Sequence, residues 1–157
     1  MSNPWMDISS DDYENHMASI GQLQALNKAF KKALLIYKPR TMVILGSATG
    51  NGLEHINPLI TKRVHAIDIN EKFLQISLRR YGRSLPGLRI HCLDLGKDQI
   101  NIPKVDFIFA GLIFEYIDVS VLMSKIEHLI WRSGIVLVIL QLNLTDNGFV
   151  SQTNIHR

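Results

Sequence analysis

The sequence predicts an α/β fold: a doubly wound, mostly parallel sheet of at least five strands, with helices on both faces and N-terminal helices ahead of it. Three observations carry this prediction. From residue 42 onward, short β-rich runs alternate with amphipathic helical stretches. Three of the runs are apolar throughout, as strands covered on both faces should be. The links between runs are short, so successive strands join through right-handed crossovers into a parallel sheet.

The elements follow in chain order. A short helix is expected over 10–18, with Ser9 or Ser10 as its cap. Ile20 to Lys38 reads as an amphipathic helix whose apolar face carries Leu23, Leu26, Phe30, Ala33, Leu34 and Tyr37. Pro39 ends it. Val43-Ile44-Leu45 forms the first strand, and a helix over 51–60 is expected after the glycine turn that follows. "RVHAID" (63–68) is the second strand. Asn70 caps a helix over 71–82, with Glu71 in its first turn. "LRIHCLDL" (88–95) and "VDFIFAGL" (105–112) are the third and fourth strands. Asp118 caps a helix over 119–132, which Gly134 stops, and "GIVLVILQL" (134–142) is the fifth strand.

After residue 142 the pattern fades into a polar stretch with a turn signal at Asp146-Asn147-Gly148. The 157 residues fit one domain on a prior of roughly 100–200 residues each. It divides into a helical cap (1–40), a ligand-binding core (41–142) and a tail (143–157).

Composition narrows the function classes. The formal net charge is +3 and the pI about 9.1. This is mild basicity without the Lys/Arg clustering that argues for a nucleic-acid partner. The lysines off the apolar face of the long helix read as a solvated surface. The longest apolar runs are about ten residues, half of what a membrane span needs, and the N-terminus lacks the features of a signal peptide. A single cysteine, Cys92, excludes an internal disulfide and fits a reducing, cytoplasmic setting. Cys92 is expected in the core. His55, His65, His91 and His128 show no metal-ligand spacing with one another or with Cys92, so no metal is expected.

The informative stretch is "MVILGSATGNGLEHI" (42–56), an apolar strand running into a glycine-spaced turn. In an open parallel sheet, ligands bind beyond the carboxyl ends of the strands, where strand order reverses. Small residues there let the backbone approach a ligand, and a following helix offers free N–H groups. Asp68 ends the second strand, 22 residues after Gly46. A carboxylate there accepts both hydroxyls of a ribose; the bland alternative is a helix-capping acid. Asp94 ends the third strand, where its side chain or the Leu95 backbone meets an adenine amino group, or else it simply starts a turn before Gly96. The G-x-G-x-x-G dinucleotide fingerprint fits in neither register, since Asn51 or His55 falls where the third glycine belongs. A phosphate-binding P-loop is excluded because no Lys follows Gly52.

"VILGSATGNG", "VHAIDIN", "IHCLDL" and "VDFIFAGLIFEYI" together resemble the class I S-adenosylmethionine-dependent methyltransferases over roughly residues 42–142. The resemblance implies a Rossmann-like fold whose first turn holds the methionine part of S-adenosylmethionine. Gly46, Ser47, Ala48 and Gly50 are implicated there, with Asn51 and Gly52 beside them. It implies Asp68 and Ile69 at the ribose, Asp94 and Leu95 at the adenine, and Leu112 lining the site beyond the fourth strand. It also implies that an N-terminal helix such as "DYENHM" closes over the cofactor.

Two positions depart from the family's usual pattern. Ala48 stands where glycine is usual, which alanine tolerates if its φ stays negative, and Ile44 stands where an acid is frequent. The family's last two strands are expected to be missing or incomplete, leaving an open apolar fifth strand. Association into a homo-oligomer is therefore expected.

Methyl transfer from a sulfonium asks little of side chains beyond alignment, exclusion of water and at most a base. The N/D-P-P-Y/F motif of adenine and glutamine amino-group methylases is absent after the fourth strand, where "AGLIFEY" stands. Glu115 and Tyr116 follow this strand and are candidates to face the acceptor. Tyr13 and His16, on one face of the N-terminal helix, are candidates to close over it. For each, ordinary packing or a solvated position is the alternative. The expected activity is methyl transfer to a small molecule. Two alternatives stand beside it: a catalytically inactive binding or assembly module of the same fold, and, more weakly, an NAD(P)-dependent oxidoreductase.

Overall fold

The computed structural model describes residues 3–142; the predicted tail, with its turn at Asp146-Asn147-Gly148, lies outside the described residues. Helices α1 (Ser10–Ser19) and α2 (Gln22–Tyr37) precede the sheet. The core follows as β1 (Thr41–Leu45), β2 (Arg63–Asp68), α3 (Glu71–Tyr81), β3 (Leu88–Cys92), β4 (Val105–Gly111), α4 (Val119–Leu129) and β5 (Ile130–Ile139). The strands lie in the order β3-β2-β1-β4-β5, and every neighbouring pair is parallel. The winding therefore reverses between β1 and β4. Among the described residues no helix is long and apolar enough to cross a membrane.

The strict alternation of side chains along a strand divides the core into two layers. Met42 and Ile44 of β1, with Phe107 and Phe109 of β4, pack against Phe30 and Ala33 of α2 and Leu74 of α3. Val43 and Leu45, with Ile108 and Ala110, pack against Leu122, Ile126 and Leu129 of α4. The sheet is thus the mostly parallel, Rossmann-like sheet with helices on both faces that the sequence predicts. Local chemistry sets the helix starts: Ser9 accepts the N–H of Asp12, Asn70 that of Phe73, and Asp118 those of Ser120 and Val121.

Several elements differ from expectation. The helix expected over 51–60 is a single 3-10 turn, Leu53–His55. Gly50 and Gly52 lie at φ +91° and +96°, left-handed backbone that no helix continues through. A Cβ at Gly52 would come within 2.7 Å of the Phe30 ring, so the turn packs tightly on α2. Pro58 then blocks any helical continuation. The third strand stops at Cys92 instead of reaching residue 95, and Cys92 is exposed, not in the core.

The last helix ends at Leu129 and passes directly into β5, which starts at Ile130 instead of 134 and ends at Ile139. Gly134 is therefore a strand residue. The register jumps there: Ile130 opposes Val105 and Ile135 opposes Phe107, so residues 131–134 bulge against Asp106 alone. A Cβ on Gly134 would meet Ile130 at 2.6 Å and the Asp106 carbonyl oxygen at 3.0 Å, which is why glycine stands at this bulge. Tyr37, placed on the apolar face of α2 by its spacing, packs its ring on Phe107 at 5.9 Å and is about half exposed at the helix end.

Candidate functional site

The reversal between β1 and β4 opens a cavity of about 450 Å³ beyond the carboxyl ends of the strands. Its floor is the turn after β1. The N–H groups of Gly46 and Ser47 both donate to the Ile67 carbonyl, at 2.9 and 3.0 Å, which fastens the turn to β2. Gly46 sits at φ +71°. Ala48 also sits in left-handed backbone, at φ +47°, so the expectation of a negative φ there is corrected. Two contacts hold it: its N–H donates to Asp68 Oδ2 at 2.8 Å, and its carbonyl accepts from Ser77 Oγ at 3.2 Å.

Asp68 is the charged centre of the cavity. Its Oδ1 accepts the N–H of Asn70 at 2.9 Å, so both carboxylate oxygens are held by backbone donors and retain capacity to accept more. Burial pushes the Asp68 carboxyl above its ordinary range, while the N–H groups of Asn70, Ala48 and Ile69 pull the other way. Beside it, the Ser47 hydroxyl is buried and lacks a hydrogen-bond partner among the described residues, yet it lines the cavity. A buried unpaired hydroxyl is costly.

The roof comes from the N-terminal segment. Asn3 accepts the Trp5 N–H and starts a 3-10 turn over Pro4–Met6. Asn70 Nδ2 then donates to the Trp5 carbonyl at 2.8 Å, tying the roof to the start of α3. The Trp5 ring meets Tyr13 edge-on at 6.1 Å and Tyr116 at 5.3 Å, while Tyr13 leans on Phe73 at 5.2 Å. Burial, and secondarily the Asp68 charge, raises the Tyr13 hydroxyl well above its usual range, so it stays protonated. Glu14, next on α1, accepts from Thr49 Oγ1 and from Arg80 of α3, and the Arg80 guanidinium holds its carboxyl below the usual range.

The structure brings most of the sequence candidates to this cavity. In the floor these are Gly46, Ser47, Ala48 and Asn51. Asp68 and Ile69 line it from β2, Asp94 and Leu95 from beyond β3, and Leu112 from beyond β4. Gly50 and Gly52 do not line it. Gly50 packs against Ser77 and Tyr81, and Gly52 against Phe30, so both serve the turn. Tyr13, Glu115 and Tyr116 reach the cavity; His16 does not, and its Nδ1 is buried without a hydrogen-bond partner among the described residues.

Asp94 lines the cavity and also accepts the Gly96 N–H at 2.9 Å. Glu115 is partly engaged, accepting the Gln141 N–H at 3.2 Å. Sequence reasoning missed Trp5 and Phe73. The Asn-Pro-Trp start, a capping residue before a proline at the first helical position, is the local signal that orders the Trp5 segment.

A five-stranded parallel sheet in this order, with a ligand-sized cavity at its switch point, defines a Rossmann-like α/β protein. Residues 43–138 match the sequence model of the methyltransferase domain, and the chain belongs to that family. No curated protein matches it closely enough to count as a relative. Similar solved structures include coclaurine N-methyltransferase bound to N-methylheliamine and SAH, at 19% identity and TM-score 0.62, over 73% of this chain and 34% of that one. An S-adenosylmethionine-dependent methyltransferase from Clostridium acetobutylicum matches at 19% and 0.63, over 80% and 56%. The N-methyltransferase NodS from Bradyrhizobium japonicum, in complex with S-adenosyl-L-homocysteine, matches at 14% and 0.63, over 74% and 60%. At these identities the likeness speaks to the fold, and the chain spans only 34%, 56% and 60% of those longer proteins.

Proposed function

We propose that this chain binds S-adenosylmethionine in the carboxyl-edge cavity and transfers its methyl group to a small-molecule acceptor. The observation that carries this is Asp68: a partly buried carboxylate at the end of β2, oriented by the Ala48 and Asn70 N–H groups, with acceptor capacity left for a vicinal diol. Family membership and the unpaired Ser47 hydroxyl support the same reading. In it, Asp68 takes the ribose hydroxyls, the Gly46–Ala48 turn lies along the methionine part, and Asp94 and Leu95 border the adenine. When bound, S-adenosylmethionine supplies a methyl group already activated by its sulfonium. The protein then needs to align the acceptor and keep water out. Trp5, Tyr13 and Tyr116 suit that role as an aromatic roof, and Glu115, which also lines the cavity, is the candidate base for an acceptor proton.

A second reading, binding without catalysis, is favoured by one observation. Ile44 lines the cavity with an apolar side chain where the family often carries an acid. Calorimetric titration with S-adenosylmethionine, S-adenosylhomocysteine and NADH tests the first proposal. Binding of the first two is expected, and binding of NADH alone overturns it. Asp68→Ala removes two charge-assisted acceptors, each worth roughly 1.5–3 kcal/mol, and is expected to abolish measurable binding. Unchanged affinity removes the ribose assignment. Binding without turnover across a metabolite panel selects the second reading.

A further inference from the structure

We infer that the amino-terminal edge of the sheet, at the opposite end from the cavity, is a docking surface for an anionic lipid membrane. Parallel strands deliver all their amino ends to one edge, and here every strand brings a cation. Across the sheet the row runs Arg89 (β3), Lys62 and Arg63 (β2), Arg40 (before β1), Lys104 (before β4) and Arg132 (β5). All six are exposed, and among the described residues none lies within 4.0 Å of a carboxylate oxygen. Five strands at about 4.8 Å spacing make this row about 19 Å long. The carboxylates at this end are Asp106, tied to Thr41, and Glu127, near the end of α4. The acids gather at the opposite edge instead, at Asp68, Asp94, Glu115 and Asp118. A net charge of +3 conceals this gathering of cations at one end, whereas at the other end lysines such as Lys97 stand among the acids.

Apolar side chains are interspersed with the cations. Leu59 is 80% exposed on the 57–61 turn. That turn is anchored beside β1 by Thr61 Oγ1 donating to the Pro39 carbonyl and by Lys62 N donating to the Arg40 carbonyl. Trp131, 52% exposed, lies 6.0 Å below the Lys104 ammonium. Ile36 and Tyr37 are exposed at the end of α2, just ahead of Arg40.

Exposed aliphatic tips, an indole and a phenol suit a lipid surface when they stand among cations that pair with no carboxylate, although Lys62, Arg89 and Lys104 touch backbone carbonyls. The apolar groups enter the acyl boundary, Trp and Tyr sit at headgroup level, and Lys and Arg meet the phosphates. Single-stranded nucleic acid would need aromatic platforms for its bases, whereas the most exposed apolar group here is Leu59. Docking by this edge leaves the cavity mouth facing water. The inference is independent of the chemistry proposed for the cavity.

Flotation of the chain with phosphatidylcholine vesicles, with and without phosphatidylserine, tests it. Partition onto the phosphatidylserine vesicles alone is expected. The triple variant Arg40→Glu, Lys62→Glu, Arg63→Glu is expected to weaken partition by more than about a hundredfold, since the loss of each basic residue near an anionic surface alone counts roughly fivefold and each Glu adds repulsion. Leu59→Ser and Trp131→Ser change exposed side chains only and guard against a charge-reversed chain that fails to fold; each is expected to weaken partition severalfold. No partition onto phosphatidylserine vesicles, or equal partition onto neutral ones, overturns the inference. So does unchanged partition of both serine variants, or capture by a single-stranded RNA homopolymer in place of vesicles.

Discussion

The backbone N–H of Ala48 donates to the Asp68 carboxylate across 2.8 Å. This bond joins the two features that define the cavity floor, the turn after β1 and the acid ending β2. It also holds Ala48 at φ +47°, a conformation that costs a residue with a Cβ about 1–2 kcal/mol. Ala48 is thus a strained residue kept in place by its neighbours.

Ala48→Gly is expected to relieve that strain. The gain is offset by about 0.4–1 kcal/mol of extra unfolded-chain entropy, leaving about 0.5 kcal/mol of net stabilisation. In urea denaturation the midpoint moves up with the slope unchanged. A lower midpoint contradicts the assignment of strain.

Glu14 links α1 to the turn through Thr49 and to α3 through Arg80. The pair is partly exposed, so its worth to global stability is at most about 1 kcal/mol. Its local effect is larger, because α1 carries Tyr13 of the roof. Glu14→Ala is expected to raise amide exchange in residues 10–19 severalfold and leave β1 and β4 unchanged. Equal protection in both regions contradicts a clamp.

Much of the fold was legible because strand chemistry is local. "RVHAID" gives β2 to the residue, and Ser9, Asn70 and Asp118 cap the helices they precede in the sequence. The failures have tertiary causes. Leu53, Ile56 and Ile60 repeat at helical spacing, yet Gly50 and Gly52 take left-handed backbone and pack on Ser77, Tyr81 and Phe30, which a sequence window cannot show. Ile130 continues the apolar face of α4 and its spacing predicts helix, but pairing with Val105 makes it strand. The floor of the site was readable from strand ends. The roof was not, because Trp5 reaches it through a bond from Asn70, 65 positions away.

Strand β5 pairs with β4 on one side only among the described residues, and Ile135, Val136 and Val138 are exposed. An open apolar edge invites another strand. Self-association is expected, and size-exclusion chromatography with light scattering reads it. Val138→Lys forfeits the burial of the exposed part of one valine, about 1 kcal/mol, sets a charge on the edge, and is expected to shift the population toward monomer. A wild-type chain that elutes as a clean monomer contradicts this expectation.

His65 on β2 and His91 on β3 form a hydrogen bond of 2.9 Å between Nδ1 and Nε2. One ring nitrogen must accept, so the bond fails if both rings are protonated. Burial first, then the nearby charges of His91, Arg63 and Arg89, lowers His65 to about 4 from its ordinary 6.5. The sign follows from linkage: between those values the unfolded chain binds a proton that the folded chain refuses. The contribution of His65 is therefore complete above pH 6.5 and is lost as pH falls toward 4. The melting temperature is expected to hold steady above neutrality and to drop on acidification from pH 6.5 to 5, ahead of the carboxylate range. His65→Phe removes the titration while filling the site with a ring, so the variant's melting temperature is expected to drop less over that interval. An equal drop in both proteins places the acid sensitivity elsewhere.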